Sequence, residues 1–264
     1  MKEKIIAEGK TKKIKEIGNY QVEIESKDAV TAGDGERKAN LSNKSVWANN
    51  TTCNIFELLK RCGLENDTHF IKRLSGKSFL AYACKMIPIE VVIRRIATGS
   101  YLKRNPETPE ETVFDDLIVE FFFKDDALHD PFVITSDKEW RLYKPKEPVS
   151  VQSFLKTMNP ICNIGEIKYI TARAKKIFLI LEQAWRKQDG IVLYDLKIEF
   201  GRYTKYKYKI LLADVIDNDS WRIKTKDGKQ LDKEVFRGGG NPEEVEYELV
   251  SVLTDNFRNI KMEI

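Results

Sequence analysis

The stretch LYDLKIEFG at 193–201 alternates polar and apolar residues. In a strand, Asp195, Lys197 and Glu199 would share one face, with Tyr194, Leu196, Ile198 and Phe200 on the other. Two carboxylates flanking an ammonium suit either a wet outer face or a cleft that holds something charged. A second strand-like run, KILLADVID, places Asp214 among apolar neighbours and suggests a hairpin with the first. If Glu199 and Asp214 face each other across it, two carboxylates about 4 Å apart cost on the order of 4 kcal/mol at an effective dielectric near 20. A divalent cation would relieve that repulsion. Magnesium suits it, because it takes one or two carboxylates and completes its octahedron with water and phosphate oxygens. Lys197 or Arg222, forming a structural ion pair, would relieve it too.

Three further stretches carry usable chemistry. EGKTKK at 8–13 sets Gly9 before Lys10, Thr11 and Lys12 at a strand start. Permissive backbone and adjacent ammoniums suit phosphate, although the Walker A spacing is missing, and taken alone a lysine-rich solvated strand end is the simpler reading. RRIATGSYLKR at 94–104 brings the Arg94 guanidinium, a permissive Gly99 and the Ser100 hydroxyl into one turn, a set for phosphate or carboxylate or for ordinary turn capping. FFFKDDALHDP at 121–131 delivers Lys124, Asp125, Asp126, His129 and Asp130 from the end of an apolar strand. Strand ends of this kind often feed binding loops, but the acids also suit helix capping. Only His69 and His129 are present, which argues against Ser-His-Asp or Cys-His catalysis.

The elements that must position these groups follow from periodicity. KKIKEI and YQVEIES alternate around a Gly18-Asn19 turn, giving two or three antiparallel strands. Apolar spacing predicts a helix near 43–62 closed by Gly63. SFLAYACKM and IEVVIRRIA read as two strands parted at Ile87-Pro88, and residues 103–115 and 135–160 read as loops. Ile167, Ile170, Ala174, Ile177, Leu181 and Ala184 mark a long helix over 166–188, and another lies near 243–258. The order implies an α+β fold, with a β-rich lobe over 1–88 and a larger α/β lobe over 89–264. Forty-five Lys and Arg against 41 Asp and Glu leave +4, too little to argue for a nucleic-acid coat. Cys53, Cys62, Cys84 and Cys162 show no C-x-x-C spacing and read as reduced thiols. With no signal-peptide pattern and no apolar run of membrane-spanning length, a cytoplasmic protein is expected.

Taken together, GKTK at 9–12, TAGDG at 31–35, IPIEVVIRRIATGSYLKR at 87–104, FFFKDDALHDP at 121–131, LYDLKIEFG at 193–201 and DKEVFR at 232–237 resemble the SAICAR synthetase family over nearly the whole chain. The resemblance implies a two-lobed, ATP-grasp-like fold with the active-site cleft between the lobes. It implies a carbon–nitrogen ligase of purine biosynthesis that joins L-aspartate to carboxyaminoimidazole ribonucleotide (CAIR), using ATP through an acyl phosphate. By this likeness Glu199 and Asp214 hold magnesium on the nucleotide, with Asp195 and Lys197 facing the imidazole substrate or its metal. Gly9, Lys10, Thr11 and Lys12 meet ATP phosphates, and the backbone around Met86 meets adenine. Arg94, Ser100 and Arg222 bind the ribonucleotide, with Asp34, Lys124 and Asp130 near the substrates. A homodimer is expected from bacterial relatives. Where the family usually reads something like DEISPD, this chain reads DVIDND at 214–219, with Val215 in place of an acid and Asn218 in place of proline. Two other readings compete. One is a small-molecule kinase that stops at phosphoryl transfer. The other is an RNA-binding module using Tyr203, Tyr206 and Tyr208 in the basic RYTKYKYK stretch.

Overall fold

A computed structural model describes residues 4–32, 37–242 and 245–260. Strands β1 (Lys4–Glu8), β2 (Lys12–Gly18) and β3 (Gln21–Ser26) form an antiparallel meander. The β2–β3 turn bends at Gly18, Asn19 and Tyr20, all with positive φ. β4 (Ala29–Ala32) and β5 (Arg37–Asn40) pair as a separate hairpin. After helix α1 (Lys44–Leu59), closed by Gly63 at φ +79, strands β6 (Phe70–Arg73) and β7 (Ser78–Tyr82) complete a five-stranded sheet in the order β1-β2-β3-β7-β6.

The chain enters the second sheet through β8 (Cys84–Ile96), followed by the short helix α2 (Ser100–Arg104) and β9 (Val113–Phe123). Next come β10 (Phe132–Ile134), β11 (Trp140–Tyr143), β12 (Phe154–Met158), helix α3 (Ile164–Arg186), β13 (Val192–Tyr203) and β14 (Ile210–Ala213). Their order is β12-β11-β10-β9-β8-β13-β14, and β15 (Trp221–Lys224) pairs with the other end of β13. α4 (Glu234–Arg237) and α5 (Tyr247–Asp255) follow. α3 starts on a capping box, in which Asn163 Oδ1 accepts from the Glu166 amide while Glu166 accepts from the Asn163 amide. Such a cap satisfies two amide groups that the first helical turn leaves open. Its buried face, including Ile170, Ala174, Ile177 and Leu181, packs on β13, β8 and β9. One hydrophobic core runs from Val22, Phe56 and Phe79 at the first sheet to Ile89, Ile198 and Leu212 in the second.

Three local expectations change. The strand break falls at Ala83, and Pro88 lies inside β8. It is tolerated there because the β8–β13 register is irregular between Glu199↔Glu90 and Gly201↔Met86, and a bulge spares a residue that has no amide hydrogen. Pro88 still accepts at its carbonyl from the Lys124 amide at 3.0 Å. The region 135–160 contains β11 and β12, whose few residues are too short a run for periodicity to declare. The strand containing ILLA stops at Ala213, before Asp214. Leu211, Leu212 and Ala213 are all buried, so this strand is covered on both faces and shows no alternation.

Candidate active site

The polar face of β13 is formed as the alternation implies; it is buried at Asp195 and half-open at Lys197. Asp195 is 4% exposed and its Oδ2 accepts from both Arg94 and Arg222, each at 2.7 Å. The register makes this inevitable, since Asp195 lies opposite Arg94 on β8 and opposite Arg222 on β15. Lys197 donates to Glu90 Oε1 at 2.8 Å, and Lys124 to Glu199 Oε1 at 2.6 Å. Every charge on this face has an opposite charge beside it, which is what burial of ions demands.

From Asp195 the pairing extends in both directions. Arg94, 2% exposed, also donates to Glu120 at 2.6 Å and to Ser100 Oγ at 3.3 Å. Glu120 accepts from Arg104 at 2.5 Å, and Arg104 in turn donates to the Pro145 carbonyl. On the other side Arg222 reaches Glu234 at 3.1 Å, which pairs with Arg237. Asp195 and its neighbours hold the Arg222 pKa above its ordinary value even though burial opposes this. Gly99 is required here: its φ is +58, and a Cβ would lie 2.9 Å from the Arg222 guanidinium. Arg94, Ser100, Asp195, Arg222, Glu234 and Arg237 line a cavity of about 570 Å³ that also takes in Lys103, Lys146, His129, Asp130 and Lys197, with Glu120 and Arg104 behind it. Asp130 Oδ1 accepts from the Asp125 amide at 3.0 Å, and burial pushes its pKa up. So Arg94, Ser100, Asp130, Asp195, Lys197 and Arg222, chosen from sequence, share one cavity.

Beyond the cavity, on the side of the first sheet, lie the phosphate candidates. The Gly9 amide donates to the Lys12 carbonyl at 2.9 Å, closing a tight turn, and the Thr11 carbonyl accepts from Lys27 at 2.7 Å. Lys10 is exposed on the same turn. Lys12 forms an ion pair with Asp214. Burial of its ammonium pushes its pKa down to about 8, against the pull of nearby Glu199. The strand partner of Glu199 is Ala213, so Asp214 lies one residue past the end of the ladder, at φ +67, with its carbonyl held by His69 Nε2 at 3.0 Å. Met86, 38% exposed, faces Gly201, where a Cβ would come within 2.7 Å of Cys84 Cβ and 3.2 Å of Met86 Sδ.

Glu199 and Asp214 therefore do not sit directly opposite, and each already has a lysine. The donor chemistry still fits magnesium, as two carboxylates, each beside a lysine, can serve an ion that takes its other ligands from water and phosphate. Among the described residues no three His, Cys, Asp or Glu side chains group to hold a metal. The Oδ2 of Asp195, the third carboxylate the resemblance suggests for metal, is taken by two guanidiniums. Asp34 lies outside the described residues.

The altered 214–219 loop redirects its charge inward. Asp219 accepts from Lys233 and from the Tyr247 hydroxyl, each at 2.7 Å. Burial alone would raise its pKa, but Lys44, Lys233 and Tyr247 hold it far below the usual carboxylate range. Asp217 is pushed up by burial and by Asp219. Val215 is half-buried against the core. In the RYTKYKYK turn Tyr203 is buried against Tyr82 and Tyr206, while Tyr206 and Tyr208, in contact with each other, stay exposed.

Sequence reading missed Glu90, Glu120, Arg104 and Glu234, the partners that fix the cationic groups. A signal existed for two of them: Glu90 and Arg94 share one strand face in IEVVIRR, and Glu120 is the lone acid leading into FFF. Lys103 and Lys146 reach the cavity from α2 and from the β11–β12 connection, a placement no local pattern announces.

The family model for SAICAR synthetase matches residues 5–251. Among curated relatives, a phosphoribosylaminoimidazole-succinocarboxamide synthase from Roseiflexus sp. (strain RS-1) is 42% identical over 236 residues, covering 88% of this chain and 86% of that protein. One of the same name from Herpetosiphon aurantiacus is 38% identical and covers 96% of this chain and 98% of its own length. Among solved structures, the synthase from Ehrlichia chaffeensis superposes with a TM-score of 0.79 at 29% identity, covering 96% of this chain and 98% of that one. A SAICAR synthetase in complex with ADP gives 0.76 at 32% identity, covering 98% and 99%. Sequence and fold agree, and the chain belongs to the SAICAR synthetase family of ligases.

Proposed function

We propose that this chain condenses L-aspartate with CAIR to give SAICAR, ADP and phosphate, through an acyl phosphate on the imidazole carboxylate. The observation that carries the reading is the adjacency of two charge systems: Lys12, Asp214, Glu199 and Lys124 on one side, and the cavity with Arg94, Ser100 and Arg222 on the other. The first sheet supplies the Gly9–Lys12 turn for ATP phosphates, and the start of β8 supplies the Met86 strand edge for adenine. The lobe from 89 onward holds the ribonucleotide and the rest of the carboxylate set.

A carboxylate resists attack by an amine, and phosphorylating it creates a leaving group. Magnesium, held by Glu199 and Asp214, would screen charge on the transferring phosphoryl group. Lys12 and Lys124 place further positive charge on its oxygens. Arg94, Ser100 and Arg222 anchor the ribonucleotide, with Asp195 holding both guanidiniums in one orientation. Lys197, in the same cavity, orients the imidazole carboxylate for in-line transfer and then for attack by the aspartate amine, with Asp130 beside the substrates. The reaction calls for no protein nucleophile, which suits a chain with two histidines.

The test is ADP release by purified protein with magnesium-ATP and CAIR, with and without L-aspartate, together with mass analysis of the product. Turnover that needs all three and yields the succinocarboxamide supports the ligase. ADP release indifferent to aspartate would favour a kinase.

A further inference from the structure

At the end of β14 the proposed chemistry uses only the Asp214 carboxylate, yet the backbone there is held with unusual care. Asp214 is in the left-handed region at φ +67, which is disfavoured for residues other than glycine although Asp tolerates it better than most. The ladder with β13 stops at Ala213. His69, 2% exposed, lies beside both flanking peptides. Its amide donates to the Leu212 carbonyl at 2.9 Å, and its Nε2 lies 3.0 Å from the Asp214 carbonyl. A carbonyl can only accept, so the hydrogen is on Nε2. The ring is fixed by Phe56 and Phe79, with centroids 5.3 and 5.7 Å away, and the His69 carbonyl accepts from the Tyr82 amide at 2.8 Å. Ring and backbone together grip residues 212 and 214 from the edge of the first sheet.

We infer that His69 is a positioning residue for the nucleotide-phosphate site: by anchoring the Asp214 carbonyl it fixes the turn that aims the Asp214 carboxylate at Lys12 and sets it near Glu199. The inference rests on the role proposed for Asp214 and adds to it a residue from the opposite sheet. The plain alternative is a core histidine that satisfies one carbonyl and contributes only to stability. The two differ in what they couple. A structural histidine acts on everything the fold holds, whereas a positioning one acts through Asp214.

Calorimetric titration with MgADP separates them, using wild type, H69A, H69Q, D214N and the H69A/D214N double variant, with CAIR binding measured in parallel. H69A should bind MgADP about tenfold more weakly, the scale of one buried hydrogen bond lost, with CAIR affinity kept. H69Q, whose terminal amide can place an N–H near the position of Nε2, should recover most of the affinity. The double variant should bind no worse than D214N. If H69A fails to fold, comparison of H69Q with H69N carries the test, because the shorter Asn amide cannot reach the carbonyl and only Gln should bind as wild type does. D214N impaired while H69A, or in its place H69N, binds normally would overturn the inference and leave the role of Asp214 standing. Equal losses for MgADP and CAIR, or a full further loss in the double variant, would also overturn it. Normal binding by D214N would remove the role of Asp214 and the inference together.

Discussion

Asp195→Asn is the sharpest perturbation of the cavity, because one oxygen of Asp195 serves two guanidiniums. Two nitrogens each 2.7 Å from Oδ2 can be no more than about 5.4 Å apart, twice that distance, and at an effective dielectric near 20 their charges repel by about 3 kcal/mol. In the wild type the carboxylate more than offsets this. Asn keeps the shape and one weak acceptor but loses the charge. Glu120 and Glu234 remain on the outer sides of Arg94 and Arg222, so the arginines stay charged and face each other uncompensated. Breaking a buried pair in this way costs about 3–5 kcal/mol, and the retained amide oxygen argues for the lower end. For a chain of this size, with about 2–4 °C of Tm per kcal/mol, calorimetry should show a fall of roughly 6–12 °C. A second consequence is more diagnostic: the cation pair should take up an anion in place of the lost carboxylate. Inorganic phosphate should therefore raise the Tm of the variant more than that of the wild type. A Tm within 2 °C of wild type, or equal phosphate stabilisation of both proteins, would refute the account of Asp195 as the clamp between Arg94 and Arg222.

Other expectations follow from the same geometry. Arg222→Ala should weaken CAIR binding, seen as a raised KM for the ribonucleotide with the KM for ATP kept, and equal losses for both would contradict the two-sided site. Gly99→Ala combines positive φ with a Cβ 2.9 Å from Arg222. It should cost about 1–2 kcal/mol of stability by denaturant titration and raise the ribonucleotide KM by displacing that guanidinium. Lys12 gives opposed pH trends. With its pKa lowered to about 8, kcat/KM for ATP should fall as pH rises through about 8, where the ammonium discharges. Folding is disfavoured by the buried charge at lower pH, and between about 8 and its unfolded value the folded state binds fewer protons, so this group's contribution to stability rises with pH there. Lys12→Arg should remove the alkaline limb from the kinetic profile while leaving other pH effects in place.

The local periodicities were readable because their causes are local. Strand alternation put Asp195, Lys197 and Glu199 on one face, a helical repeat marked α3, and Gly18-Asn19 marked a hairpin turn; backbone geometry alone fixes which side chains share a side. The long motifs likewise point to the family, and the order of elements to the α+β fold. What faces those side chains depends on register between distant segments, which periodicity does not encode. The resemblance makes Asp195 a candidate for substrate or metal, and pairing with β8 and β15 makes it the shared acceptor of Arg94 and Arg222. Asp214 reads as a strand residue because its neighbours are apolar. The strand ends before it because the chain turns there, and His69, 145 residues away in sequence, takes its carbonyl. Pro88 reads as a strand break until an irregular register with β13 gives it a place. The sequence by itself thus determined the family, the fold class and which polar groups share a face. The tertiary structure alone decided which charges neutralise one another, because that depends on long-range pairing and on how deeply each pair is removed from water.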